Sequence, residues 1–448
     1  MQPTAPRIRI RHSLLCLALA GAGIAPAFAQ DAGDRAEILR QIAQLRDQQA
    51  RIAQMQRDNE EALRALEARL GLAPAQTPAP ATPVPATPHA ATTAAPTASA
   101  PLAASSATEP RLKISGDFRV RGQFDNSDDD GRNRSSSQVR GRLGATFAVN
   151  DRVTVGARLA TGDSNDPNST DVQLSNWVDD LEVSLDQAYL QLAFGQLKVF
   201  GGKMPQPFTR TELVWDGDVN PQGVAATWRH ALGSGGAVRA NALFFVVDEQ
   251  AGGPDSTMIG AQLGYDTPAL GPWRFDASAA YYDYTLDSMA GADAGDWRSN
   301  LLNPDGTYVS DFRLADLIVG ATYTGLGERW PLRIVGDYVK NTAARTEGDT
   351  GYSIDLTLGR VSQVGDWRLS YGHAVAEVDA VLAAFSHDNI GIGTNYRMHS
   401  LGIDYMPWHR TTLSAILYRY RPDAAAYAGS NDPDDWLNRF RVSLMVAF

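Results

Sequence analysis

Arginines at alternate positions are the residues of this sequence with the clearest binding chemistry. A guanidinium group binds a carboxylate or a phosphate through two parallel hydrogen bonds. Residues two apart on a β-strand point to the same side, so a pair with this spacing would present two guanidiniums to one surface. The sequence has three such pairs, and one further arginine lies in a segment of the same kind. These residues are Arg119, Arg121, Arg140, Arg142, Arg158, Arg439 and Arg441.

The segments that carry these arginines alternate between apolar and polar residues. In residues 111–124, for example, Ile114, Phe118 and Val120 share one face, while Arg119 and Arg121 share the other. A period of two is typical of β-strands with one apolar face. We predict strands near 111–124, 138–149, 152–159, 183–194, 196–204, 222–231, 236–247, 257–266, 272–284, 311–324, 330–340, 351–361, 366–375, 394–406, 410–421 and 435–448.

The connections between these strands alternate between short and long. An even number of strands with tight turns at one end and long loops at the other is typical of outer-membrane barrels, whereas a soluble β-sandwich has no reason to sort its loops by length. The fold class predicted for residues 111–448 is an all-β transmembrane barrel of about 16 antiparallel strands. The apolar face of the barrel would contact lipid, and the polar face would line a water-filled lumen. No hydrophobic core is expected inside the barrel. Arg313 and Arg397 are assigned to the lumen by the same alternation.

Three further segments are predicted before the barrel. Residues 1–29 resemble a signal peptide, with basic residues, a short apolar run and the small-residue site Ala27-Phe28-Ala29. Residues 31–71 carry apolar heptads and predict a coiled-coil helix in the periplasm, with a solitary solvated helix as the alternative. Residues 72–110 are rich in Ala, Pro and Thr and predict a disordered linker.

Composition excludes several classes of function. The single cysteine, Cys16, lies in the signal-like segment, which excludes disulfide frameworks, cysteine-bound zinc and thiol catalysis from the exported chain. The formal net charge of −11 argues against a nucleic-acid binder. No apolar window of transmembrane-helix length follows the N-terminal region.

Motifs for catalysis and metal binding are missing. Tyr371-Gly372-His373 is the nearest approach to an outer-membrane phospholipase, but Ala374-Val375-Ala376 follows it in place of the required continuation. Residues 126–137 begin like a calcium loop, but Ser137 stands where a glutamate is needed. The histidines lack the spacing of metal ligands. We therefore predict no enzyme, no cofactor and no metal.

Two neighbouring stretches resemble a known family. Residues 201–208 read Gly-Gly-Lys-Met-Pro-Gln-Pro-Phe, and residues 213–223 read Leu-Val-Trp-Asp-Gly-Asp-Val-Asn-Pro-Gln-Gly. Together they are similar to a strand–loop segment of the bacterial "putative porin" family, which also tends to have a coiled coil before its barrel. The resemblance implies a trimeric outer-membrane channel without enzymatic activity, and it does not identify a solute.

The loop 205–221 is a predicted constriction loop. It is the third long loop, which in many porins folds into the lumen, and a surface loop is the alternative reading. Its candidate residues are Phe208, Trp215, Asp216 and Asp218. The last strand closes against the first in any barrel, so the seven arginines would form a basic, pore-lining ladder that binds anions. Alternatively, these arginines pair with loop acids such as Asp216 or Asp218.

The predicted function is therefore an outer-membrane porin, which is a water-filled diffusion channel for small hydrophilic solutes. The channel is expected to prefer anions. A general non-selective porin and a periplasm-spanning structural tether are the alternatives, and an outer-membrane hydrolase is a weaker one. The predicted partners are outer-membrane lipid and lipopolysaccharide, two further copies in a homotrimer, and the barrel-assembly machinery, which would read the C-terminal Phe448. Peptidoglycan is a further candidate partner, and nucleic acid is not one.

Overall fold

The computed structural model of this 448-residue chain describes residues 111–128, 133–163, 166–175, 177, 181–233, 235–287, 299–429 and 433–448. The predicted signal peptide (1–29), coiled coil (31–71) and linker (72–110) lie outside the described residues, so they stay predictions.

The described residues form sixteen long strands and one very short strand. The strands are β1 (Leu112–Ser127), β2 (Arg134–Ala148), β3 (Val153–Thr161), β4 (Val172–Gln173), β5 (Val183–Phe194), β6 (Leu197–Lys203), β7 (Gln222–Ala231), β8 (Ala237–Asp248), β9 (Ser256–Asp266), β10 (Trp273–Thr285), β11 (Arg313–Tyr323), β12 (Leu332–Asn341), β13 (Thr350–Gly359), β14 (Trp367–Ala376), β15 (Tyr396–Trp408), β16 (Thr411–Pro422) and β17 (Leu437–Ala447). Two 3₁₀ turns lie at Ala383–Phe385 and Ala425–Tyr427. Sixteen antiparallel strands, as predicted, therefore build the sheet, and β4 adds two residues beside β2.

The sheet closes on itself. Each long strand pairs antiparallel with its sequence neighbour among the long strands, and β1 pairs with both β2 and β17. Closure removes sheet edges, so every strand backbone can be satisfied inside a membrane. The predicted alternation of tight turns and long loops is present. For example, two residues join β5 to β6, whereas residues 204–221 join β6 to β7.

The outer surface of the barrel is apolar. Large side chains such as Phe118, Val120 and Leu143 are exposed there, on the parity opposite to the arginines. In the part of the chain that the structure describes, no helix is long and apolar enough to span a membrane. The prediction is wrong for Arg313 and Arg397. Both have the outer-surface parity, because Leu314 on β11 and Met398 on β15 are buried inside.

The inside of the barrel holds a hydrophobic core, contrary to the prediction. Loop 204–221 and the segment 377–395 pack against inward-facing apolar residues of β7–β12 and β14–β16. Among its fully buried members are Met204, Trp215, Met258, Tyr282, Leu314, Val381 and Ala384. The expectation of a lumen lined only by polar groups failed because these strands are apolar on both faces at their long-loop ends. The seven predicted pore-lining arginines lie on the remaining wall, on β17 and β1–β3.

Candidate solute passage

All seven arginines lie on the inner face of four neighbouring strands, β17, β1, β2 and β3. Arg119 stands directly opposite Arg140 in the β1–β2 ladder. In the β1–β17 ladder, Asp125 is opposite Arg439 and Gln123 is opposite Arg441. Like charges opposite each other on a sheet destabilise it, so this wall requires acidic partners.

A strand carboxylate supplies the first partner. Asp117 on β1 stands opposite Arg142, and its two oxygens accept hydrogen bonds from Arg140 Nε at 3.1 Å and Arg142 Nε at 2.8 Å. One carboxylate thus bridges two guanidiniums of β2. The bridge compensates part of the repulsion between Arg140 and Arg142.

A loop carboxylate that sequence reasoning missed supplies the second partner. Both oxygens of Asp171 accept hydrogen bonds from Arg119 Nη2, at 2.6 and 2.7 Å, and one of them also accepts from Arg121 Nη1. The short strand β4 follows Asp171 at once and pairs with β2 through Gln138 and Val139. This pairing fixes the backbone beside the arginine wall. The two residues of β4 are too short a pattern for sequence reasoning to have found.

The predicted loop residue Asp218 supplies the third partner. One oxygen of Asp218 accepts a hydrogen bond from Arg142 Nη1 at 2.8 Å, and the other accepts from the Thr170 hydroxyl at 2.8 Å. Asp216 is buried, and one of its carboxylate oxygens accepts from the backbone N–H of Asp218 at 2.7 Å. Loop 204–221 therefore touches the arginine wall, and no ion pair joins Asp216 to it among the described residues.

A β-bulge provides the partner of Arg158. The β3–β5 register pairs Arg158 with Gln187 and Leu159 with Leu185, which leaves Asp186 as the extra residue. Bulges re-aim side chains, and here Asp186 turns inward and forms an ion pair with Arg158. The interrupted alternation near Gln187 is the sequence signal of this bulge.

The two arginines of β17 complete the wall. Arg439 forms an ion pair with Asp125 at 2.7 Å. Arg441 is bonded to the side chains of Gln123 and Asn389, at 2.8 and 3.1 Å, and lies over the Tyr418 ring. Six of the seven arginines thus have carboxylate partners, and Arg441 has neutral ones.

Loop 204–221 is anchored on the far side of the lumen from the arginines. Phe208 packs edge-on against Tyr282 of β10, with ring centroids 5.1 Å apart. Trp215, which is fully buried, packs edge-on against the same tyrosine at 5.5 Å. The Gln262 side chain of β9 accepts from Thr209 N and donates to Thr209 O, both at 2.7 Å. The aromatic candidates therefore hold the loop inside the barrel, while Asp218 reaches the opposite wall.

The segment 377–395 is a second inserted loop, which sequence reasoning treated as an ordinary long connection. The Asn300 side chain holds it by donating to the carbonyls of Val378 and Val381, both at 2.9 Å. Its Phe385 carbonyl accepts from Asp216 N at 2.8 Å, which ties the two inserted loops together. The apolar run at residues 380–385 was the available signal.

A polar cavity of about 570 Å³ lies beside the contact between the arginine wall and the inserted loops. Five arginines and five carboxylates line it, together with Gly217, Asn389 and Tyr418. The charged members are Arg119, Arg121, Arg140, Arg142, Arg368, Asp171, Glu212, Asp216, Asp218 and Asp388. Four of the five arginines lie on the arginine wall, Arg368 lies on β14, and the acids lie on loops.

Protonation of the loop acids follows from their surroundings. Burial alone would raise the pKa of Asp171, but the charges of Arg121 and Arg119 outweigh this effect and lower it. Burial raises the pKa of Asp216 well above its usual range, and the charges of Glu212 and Asp388 raise it further. Burial also raises the pKa of Asp388, although Arg441 opposes the shift. Asp171 thus keeps its charge to a lower pH than an exposed aspartate, whereas Asp216 takes up a proton more readily.

Metal binding has no support in the described part of the chain. His373 and His399 stack across β14 and β15 with ring centroids 4.5 Å apart. No group of three or more His, Cys, Asp or Glu side chains among the described residues is placed to hold a metal ion.

Comparison with known proteins agrees with the barrel. The family described as "Putative porin" matches residues 123–294, which confirms the resemblance predicted from residues 201–223. Because this family consists of channel proteins, the match also confirms the prediction of a porin-like outer-membrane channel that is not an enzyme. No curated protein matches the sequence.

Solved porin structures are similar in fold. The high-pH structure of Pseudomonas putida OprB has a TM-score of 0.50 at 12% identity, over 75% of this chain and 94% of that one. An anion-selective porin from Comamonas acidovorans has a TM-score of 0.46 at 16% identity, over 75% and 99%. Salmonella typhi OmpF in complex with daunomycin has a TM-score of 0.47 at 11% identity, over 75% and 97%. At these identities the likeness concerns the fold alone.

Proposed function

We propose that the barrel is a diffusion channel in which small hydrophilic solutes pass along the arginine wall, with a modest preference for anions. The observation that carries this proposal is the polar cavity of about 570 Å³, lined by charged groups of both signs, inside a closed barrel. Barrels of this size enclose an aqueous channel when loops do not fill it completely.

The direction of the preference rests on protonation. Guanidiniums keep their charge at all physiological pH values. Of the five carboxylates around the cavity, Glu212, Asp216 and Asp388 have raised pKa values, so each takes up a proton at a higher pH than an exposed carboxylate does. The cavity therefore carries a positive excess, which favours anions. The excess is small because most wall arginines are already paired.

The experiment is ion selectivity in planar bilayers, measured as the reversal potential across a KCl gradient. Exchange of Arg119, Arg121, Arg140 and Arg142 for Gln should shift the reversal potential toward cations. Arg313→Gln, on the outer surface, is the matched control and should leave it unchanged. Cation preference in the parent protein overturns the anion proposal, and zero preference supports a general non-selective porin.

Liposome swelling separates a channel from a structural tether. Vesicles that contain the parent protein should swell in an isotonic solution of a small sugar. Vesicles that stay impermeable would contradict the channel and leave the tether as the remaining function.

A further inference from the structure

We propose that Asp171 occupies a binding site for the oxyanion groups of solutes, and that carboxylate- or phosphate-bearing solutes bind by displacing its side chain. This inference rests on the channel function proposed above and names a class of solute for the same passage. The site is the pair Arg119 and Arg121, called here the oxyanion cradle.

The cradle has the geometry that a free carboxylate would require. Arg119 Nη2 contacts both oxygens of the Asp171 carboxylate, and Arg121 Nη1 contacts one of them. The positions of the guanidinium N–H donors determine which anion they can bind. A solute carboxylate or phosphate presents the same pair of acceptor oxygens as Asp171 does. Asp171 thus stands where the oxyanion of a solute would bind.

The backbone of Asp171 is held independently of its carboxylate. Val172 and Gln173 pair with Val139 and Gln138 of β2, and Leu174 N donates to the Ser137 carbonyl at 2.8 Å. The side chain can therefore rotate away from the cradle while the loop stays in place. Exchange of one oxyanion for another requires no rearrangement of the barrel.

Among the described residues, the carboxylate of Asp171 differs from the other acids of the wall in being a loop group held by the cradle arginines alone. Asp117 bridges two arginines from within β1, and Asp218 is held by Arg142 and by the Thr170 hydroxyl. Within the described ranges, the carboxylate of Asp171 has hydrogen-bond partners only in Arg119 and Arg121. A solute oxyanion that replaces Asp171 therefore takes over all of these contacts and leaves no other described group without its partner.

The cradle opens onto the passage. Arg119, Arg121 and Asp171 all line the polar cavity, and the two arginine side chains keep 16% and 11% of their surface exposed. A solute in the cavity meets the cradle without crossing the hydrophobic core.

Competition with Asp171 sets the expected strength of binding. A group tethered beside its site acts at an effective concentration in the millimolar range or above. Solute oxyanions therefore bind weakly to the parent protein. Removal of the Asp171 charge should lower the half-blocking concentration of such solutes at least about tenfold, because the tethered competitor is lost.

The test measures block of the KCl current by added succinate and, separately, by inorganic phosphate. Asp171→Asn, which keeps the side-chain shape, should lower both half-blocking concentrations at least about tenfold. Asp171→Ser, which removes the carboxylate altogether, should act in the same direction. Asp311→Asn is the matched control, because Asp311 pairs with the exposed Arg345 and does not line the cavity.

A third arm tests the cradle itself. Addition of Arg121→Gln to Asp171→Asn should return the half-blocking concentrations toward the parent values. Another outcome is a channel that conducts while Asp171→Asn and Asp171→Ser show the same half-blocking concentrations as the parent protein. That result overturns the inference and leaves the channel function standing. A parent protein that conducts no ions overturns the channel function, and the inference with it. A larger effect for succinate or for phosphate identifies which oxyanion the cradle prefers.

Discussion

Trp215 and Phe385 stack inside the barrel with ring centroids 5.7 Å apart and planes inclined by 19°. Trp215 belongs to the loop between β6 and β7, and Phe385 belongs to the segment between β14 and β15. The contact joins two loops that enter the lumen from different parts of the barrel wall. It is the centre of the packed half of the lumen, because Tyr284 and Phe245 also contact Phe385.

Truncation of Phe385 should widen the passage. Loss of a buried aromatic side chain costs on the order of 3–5 kcal/mol, and Phe385→Ala removes contacts with Trp215, Tyr284 and Phe245 together. The inserted loops should then loosen while the hydrogen-bonded barrel persists. Single-channel conductance is expected to rise and to fluctuate more. Phe118→Ala, on the exposed outer surface, is the control, and equal traces from both variants would contradict the role of the packed loops.

The strands could be predicted from the sequence because their signals are local. Alternation identifies each strand, and the segregation of loop lengths identifies the closed barrel. For this reason the predicted β5, near 183–194, and β7, near 222–231, have the bounds that the structure shows. Pairing of the last strand with the first then follows from closure alone.

The contents of the lumen could not be predicted in the same way. Tyr282 and Leu314 face the inside of the barrel. In the sequence, an apolar residue at an inward position interrupts the alternation of apolar and polar residues, and it can be assigned to a core only when the loop that covers it is known. Asp171 has no local signal, because only the pairing of β4 with β2 brings it to Arg119. The charges of the wall were predictable, whereas the acids that neutralise them depend on long-range contacts.

Ion selectivity should depend on pH through Asp216. Its raised pKa means that it takes up a proton above the usual range for aspartate, so acidification removes a negative charge from the cavity before exposed carboxylates titrate. Anion preference should therefore increase as the pH falls from about 8 to about 5. Reversal potentials measured across this range would show the shift. Asp216→Asn should flatten the profile, and an equally steep profile in that variant would assign the effect to another group.

Asp366 should stabilise the tight turn between β13 and β14 in a pH-dependent way. The bond from Arg329 and the backbone N–H groups of Gln363 and Ser362 lower the pKa of Asp366 to about 2. A depressed pKa contributes stability that is present above the unfolded value of about 3.9 and is lost as the pH falls toward 2. Asp366→Asn should lower the unfolding temperature in detergent at pH 7, and much less at pH 2. A difference that stays constant with pH would contradict this account.

Barrel closure should depend on Gly116, which faces the last residue of the chain. Gly116 N donates to the Phe448 carbonyl at 3.1 Å, and Phe448 N donates back at 3.0 Å. A Cβ at this position would lie 2.3 Å from the Arg142 carbonyl oxygen of β2 and 2.5 Å from the Phe448 ring, so Gly116→Ala pushes β1 away from β2 and displaces the terminal ring. Gly122→Ala is the matched control on the same face of β1, where the nearest atom is 3.6 Å away.

The expected outcome is a lower yield of folded barrel for Gly116→Ala than for Gly122→Ala, measured as the heat-modifiable band on unboiled gels after refolding into detergent. Phe448→Ala in the Gly116→Ala background relieves the contact with the ring but not the contact with the Arg142 carbonyl. The double variant should therefore recover only part of the yield. Full recovery would show that the Phe448 ring alone limits barrel closure. Equal yields for Gly116→Ala and Gly122→Ala would show that the barrel closes in spite of the added Cβ at position 116.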